Sequence, residues 1–177
     1  MLRPYGVDVG DDLVLDENPA AKALGFGADA PVIQRYEAHP ITNVMEGRFA
    51  MFLRARSVSP RLGLARVAVT TLIQTSPDSW AETSTAGPPH AQGADDLAGP
   101  VPIAVAVEKR TANNPRKRSD EARLVVFGDV DFANNRFSAM TGNTDLFVNT
   151  VNWLVGDEDR ITIRPPKKQG DRLDRKS

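Results

Sequence analysis

The run Leu124-Val125-Val126-Phe127-Gly128-Asp129-Val130-Asp131-Phe132-Ala133-Asn134-Asn135 constrains this chain more than any other. Its apolar start, rich in β-branched and aromatic residues, reads as a buried strand. Glycine, two aspartates and two asparagines then break it. A helix pattern follows over Thr144 to Gly156, with Asn143 or Thr144 as cap, Asp145 at the positive end of the dipole and Gly156 as the stop. Phe147, Val151, Leu154 and Val155 share one face at helical spacing, and Trp153 reads as helix packing. Strand, loop and helix in this order build α/β sheets, and sites in such sheets lie past the carboxyl ends of the strands. The expected fold class is therefore α/β: a largely parallel or mixed open sheet flanked by helices.

The rest of the chain supplies more strands than helices. Leu13-Val14-Leu15 reads as a short strand. Asn18 to Gly25 reads as one or two helical turns, with Asn18 as cap and Pro19 at the first helical position. Pro31 to Tyr36 and Phe49 to Ala55 are further strand candidates, and Thr42 is a candidate cap for a short helix over 43–47. Ala65 to Ile73 is the most β-branched run. Gln74 to Thr83 reads as a polar loop carrying Trp80, and Ala86 to Pro102 as a Gly/Pro-rich surface loop holding His90. Val101 to Val107 is another strand, 109–121 a charged turn, and Arg160 to Arg164 an edge strand stopped by Pro165-Pro166. Residues 1–164 read as a single domain, a fragment that begins mid-fold. Residues 165–177 read as a charged, disordered tail.

Composition excludes several function classes. The chain has 177 residues, 22 basic and 23 acidic, for a formal charge of -1. That balance speaks against nucleic-acid binding, which favours a basic patch and a high pI. Zero cysteines remove thiol catalysis, disulfides and thiolate metal sites, and two histidines, His39 and His90, are too few for a multi-histidine metal centre. No segment approaches the roughly 20 apolar residues of a membrane span.

The candidate site follows from the opening run. Asp129 and Asp131 after a strand resemble the first motif of haloacid-dehalogenase-type phosphatases, where one carboxylate attacks and the other donates a proton. Such an enzyme also needs a lysine and a second acidic pair on later strands, and fewer than 50 residues follow Asp131. A Mg²⁺ or Ca²⁺ site at Asp129, Asp131, Asn134 and Asn135 is chemically reasonable, because hard cations take several oxygens. The same short side chains also satisfy backbone groups in turns without an ion. Trp80 is a second binding candidate, either an exposed anchor or a ring folded onto the core. His39, before a proline, reads as a hydrogen-bonded turn residue. No Gly-x-Ser-x-Gly elbow is present.

Taken together, these pieces resemble the GldG-type family, auxiliary components of gliding-motility and uncharacterised ABC transport systems. The resemblance rests on Val125 to Asn135 with Gly142 to Leu154, on Tyr5-Gly6-Val7 with Asp12 to Asp16, and on His39-Pro40-Ile41-Thr42. Ser79-Trp80-Ala81-Glu82-Thr83 and Arg160 to Pro165 complete it. It implies an extracytoplasmic domain with a flavodoxin-like or glutamine-amidotransferase-like sheet and no catalytic cysteine. It also implies membrane tethering by segments outside this chain and an ABC permease or other envelope protein as partner. It carries over no catalytic residue and no cofactor. A non-enzymatic binding or scaffold domain is thus the leading expectation, with Asp129, Asp131, Asn134, Asn135 and Trp80 as binding residues. A Mg²⁺-dependent phosphohydrolase using Asp129 and Asp131, or a small-molecule sensor, are the alternatives.

Overall fold

A computed structural model describes residues 1–84, 90–110, 121–134, 142–157 and 161. Asn135, most of the charged turn at 109–121, the expected strand at 160–164 (Ile161 apart) and the tail at 165–177 lie outside these residues. The strands are β1 (Val7–Val9), β2 (Leu13–Asp16), β3 (Val32–Ile33), β4 (Ala50–Met51), β5 (Val58–Pro60), β6 (Val67–Gln74), β7 (Ser79–Glu82), β8 (Leu97–Ala98), β9 (Pro102–Arg110) and β10 (Glu121–Phe127). The helices are α1 (Pro19–Ala23) and α2 (Asn143–Leu154), with 3-10 turns at Arg3–Tyr5 and Asp131–Ala133.

All strand pairs among the described residues are antiparallel. They form a three-stranded sheet in the order β10-β9-β6, a second in the order β2-β7-β8, and the pairs β1-β5 and β3-β4. The parallel or mixed open sheet flanked by helices, expected from the sequence, does not form. The reason is connectivity. Parallel neighbours need a crossover of a dozen or more residues, usually a helix. β9 and β10 are separated by ten residues, and the described part of the longer β6-to-β9 link carries short strands instead.

β9 is the centre of the fold. Its side chains alternate, as a strand covered on both faces requires. Ala104 and Ala106 enter the main core with Val14, Ile41, Met45, Phe52, Leu72, Leu146 and Trp153. Val105 and Val107 enter a second cluster with Val7 and Val58. β10 repeats the division: Val125 and Phe127 pack on the main core, Leu124 and Val126 on the second. α1 starts as expected, with the Asn18 side chain accepting from Ala20 N–H and Pro19 in the first turn. Residues 42–47 form turns in place of the expected short helix. Trp80 lies in strand β7, not in a loop, and is 6% exposed.

α2 forms where the sequence places it, and Trp153 packs inward as its sequence reading has it. Its buried residues are Asn143, Leu146, Asn149, Thr150 and Trp153. Phe147, Val151, Leu154 and Val155, the apolar face marked by the helical spacing, are 45%, 41%, 40% and 71% exposed. The cap also differs: Gly142 is the N-cap, and Asn143 turns inward.

Candidate functional site

The Gly-Asp-x-Asp run ends β10 and meets the irregular segment Phe52–Arg56. Gly128 donates to the Ile103 carbonyl at 2.9 Å and accepts from Arg56 N–H at 2.9 Å. A Cβ at Gly128 would stand 2.0 Å from the Arg56 carbonyl oxygen, so only glycine admits this approach of two backbones. Asp129, 8% exposed, follows directly. One of its carboxylate oxygens accepts from Leu53 N–H at 2.9 Å, the other from Asp131 N–H at 2.7 Å. Asp131 in turn accepts from the Asn134 side-chain amide at 3.1 Å. Both oxygens of Asp129 are therefore engaged in holding backbone, the Asx-turn use of short acidic side chains. Between the two aspartates Val130 stands 83% exposed at the tip of the loop.

Burial raises the carboxyl of Asp129 above the usual carboxylate range, helped by the neighbouring Asp131 charge, and the backbone donors of Leu53, Asp131 and Phe132 only partly offset it. A raised folded pKa contributes stability that is complete below the unfolded value and is lost as pH rises through the folded one. Asp129→Asn removes that titration. The stability gap between wild type and variant should be widest below pH ~4 and shrink toward neutrality. Urea titrations of both proteins across that range check it, and a gap that widens with pH would refute it.

The second sequence candidate is placed elsewhere. Trp80 donates from Nε1 to the Glu82 carboxylate at 3.2 Å, and Glu82, 5% exposed, also accepts from Ser84 N–H at 2.8 Å. His90 Nδ1 lies 3.7 Å from the same carboxylate, so this histidine belongs to the β7 cluster and not to open solvent. Asp96 binds Thr83 through both its N–H and its hydroxyl, at 2.9 and 2.8 Å. Backbone donors from Gly93 and Thr83 hold Asp96 below the usual carboxylate range. The Ser-Trp-x-Glu-Thr segment thus fastens the loop at 90–96 to β7. It is not brought together with the Gly-Asp-x-Asp loop. His39 is a turn residue, accepting from Ile41 N–H at 3.2 Å, and its ring meets Trp153 edge-on at 5.0 Å.

Sequence reasoning missed the buried polar residues that knit these parts together. Asn143, fully buried, accepts from Met51 N–H at 2.9 Å and donates to the carbonyls of Met51 and Phe132 at 2.8 and 3.1 Å. Asn149 donates to the Ile41 carbonyl at 3.2 Å. Asp16, 2% exposed, accepts from Ser76 N–H and hydroxyl and from Asn18 N–H. Nothing in their local sequence separates them from surface Asn and Asp. Among the described residues no group of three or more His, Cys, Asp or Glu stands close enough to hold a metal. No helix among them is long and apolar enough to cross a membrane.

The comparison that decides the family spans residues 1–152, from the first turn through the Gly-Asp-x-Asp loop and most of α2. The chain belongs to the family described as ABC-type uncharacterized transport system. It is an auxiliary component of such a system, consistent with the GldG-type resemblance of its motifs. No curated protein and no solved structure matches it significantly.

Proposed function

We propose that this chain is a non-enzymatic binding or scaffold domain, displayed on the extracytoplasmic face and contacting the permease of its ABC system or another envelope protein. One observation carries the reading: both carboxylate oxygens of Asp129 are committed to the backbone amides of Leu53 and Asp131. The pair therefore serves as a scaffold for the loop, and what the loop offers outward is the exposed Val130 with half-buried Asp131. An apolar tip beside a carboxylate on a rigid turn is suited to protein contact. The family membership supplies a transport system as context.

The test is co-purification of the chain with the permease subunits of its own system. Val130→Asp should weaken recovery of the complex at least about tenfold, as loss of a small hot spot does. It should leave folding intact, because the side chain is 83% exposed. Undiminished recovery with Val130→Asp and Asp131→Ala would exclude this loop as the contact. Absence of any complex with wild-type protein would exclude the scaffold role.

A further inference from the structure

Between Glu46 and Asp78 the sequence holds five arginines and no acidic residue. Two of those arginines, Arg61 and Arg66, flank the loop that joins β5 to β6, with Leu62, Gly63 and Leu64 between them. Every residue from 61 to 66 is exposed. Leu62 is 77% exposed and Leu64 36%, so neither belongs to a core. Gly63 takes a φ of +87°, and a Cβ there would meet no described residue within 4 Å. The loop is nonetheless fastened at both ends. Arg61 N–H donates to the Gly6 carbonyl at 2.8 Å, and the Arg66 carbonyl accepts from Arg110 N–H at 3.0 Å. Arg66 itself holds a φ of +63°, a strained conformation for an arginine. Single exposed leucines are ordinary; two on the tip of a braced loop, rimmed by arginine, are not.

The surroundings of this tip are basic. One end of the second core cluster gathers the start of β1, the end of β5, the start of β6 and the end of β9, since Val7 pairs with Pro60 and Val67 with Lys109. Lys109 Nζ stands over the Tyr5 ring at 4.6 Å, and Tyr5 is 38% exposed. Arg61 and Arg3 share one carboxylate, Asp8, at 3.0 and 3.2 Å, so the three together keep one positive charge. Arg66 and Lys109 meet no carboxylate at ion-pair distance among the described residues. The Val130 loop follows the opposite end of β10, so the tip does not depend on it.

We infer that this end of the domain docks onto an anionic lipid surface, with Leu62 and Leu64 entering the acyl boundary and Arg61, Arg66 and Lys109 reaching headgroup phosphates. Three features favour lipid over a protein partner. The apolar side chains stand on a projecting tip, which a fluid bilayer admits anywhere and a protein admits only at a matching pocket. Leucine beside an amphipathic aromatic ring and a surplus of cations is the composition of an interfacial anchor. The guanidinium fork also matches phosphate oxygens. The chain as a whole carries a formal charge of -1, so attraction to an anionic surface comes from this local surplus and sets which end faces the membrane. Two leucines alone, or a few cations alone, bind a membrane only weakly; association takes both signals together, and here it is reversible.

Flotation of the 177-residue chain with lipid vesicles tests this. Vesicles of phosphatidylcholine and phosphatidylglycerol in equal parts should carry the protein up the gradient at low salt. Vesicles of phosphatidylcholine alone should bind it at least about tenfold less, and so should mixed vesicles at ~1 M salt, where the Debye length is about 3 Å. The double variant Leu62→Ser, Leu64→Ser should lower binding to mixed vesicles about tenfold, and Arg61→Gln with Arg66→Gln by a similar factor. Circular dichroism should not change, since all four side chains are exposed. Leu97→Ser, which removes an exposed leucine from β8, should float like wild type. Wild type that ignores mixed vesicles, or binds both vesicle types equally, overturns the proposal, and so does a leucine double variant that floats like wild type. Absent vesicle binding, together with a protein complex that Leu62→Ser abolishes, overturns it in favour of a protein partner. No permease is present in the flotation, so its failure and the failure of the Val130 contact are read separately.

Discussion

Asn143→Ala is expected to destabilise the domain by about 4 kcal/mol in urea unfolding, more than most single substitutions. Asn143 is fully buried and answers three backbone groups: the N–H and carbonyl of Met51 and the carbonyl of Phe132. β4 is only two residues long, so the outer groups of Met51 have no strand ladder to take them. The substitution leaves a buried donor and two buried acceptors without this partner, and each carries a desolvation cost of about 1–3 kcal/mol. Asn143→Asp offers an instructive comparison. It keeps an acceptor for Met51 N–H but turns carboxylate oxygen toward two carbonyls, so it should be no better tolerated than alanine. A loss below about 1 kcal/mol for Asn143→Ala would mean that water replaces the amide, contrary to this account.

Trp153→Ala should cost about 3–5 kcal/mol, the range for removing a large buried aromatic. The ring is 1% exposed and packed in the main core, with His39 at its edge and Arg123 over its face. The Arg123 guanidinium also donates to the Trp153 backbone carbonyl at 2.5 Å, a contact that the alanine variant retains. The cation–π part can therefore be isolated. A double-mutant cycle of Arg123→Met with Trp153→Ala should give a coupling of about 1 kcal/mol. Trp153→Phe should lose less than Trp153→Ala, because the phenyl ring still fills most of the cavity. If the two variants unfold at the same urea concentration, packing of the indole is not what anchors α2.

The strands β6, β9 and β10 were legible because β-branched runs bounded by turn residues carry a local signal. α1 was legible from Asn18 and Pro19 for the same reason. β7 was not, because Ser79, Trp80 and Glu82 are buried by partners distant in sequence: Asp16 opposite Ser79, Leu15 opposite Trp80 and Leu13 opposite Glu82. The antiparallel arrangement was also hidden. A strand-loop-helix unit looks alike locally whether its strand joins a parallel or an antiparallel sheet. The candidate site was legible as a turn of Asp and Asn, while the recipients of its hydrogen bonds, Leu53 in particular, lie 76 residues away.

The sequence by itself determined the family, the position and length of α2, and the place of the Gly-Asp-x-Asp turn, since all three rest on local chemistry. Only the tertiary structure decided which side of α2 faces inward. Periodicity marks an apolar stripe, and here the stripe faces out. The surface under the helix is built from irregular backbone at Ile41, Met51 and Phe132, whose N–H and carbonyl groups need polar partners. Asn143 and Asn149 meet that need, Leu146 and Trp153 fill the space beside them, and Phe147, Val151 and Leu154 are left partly exposed.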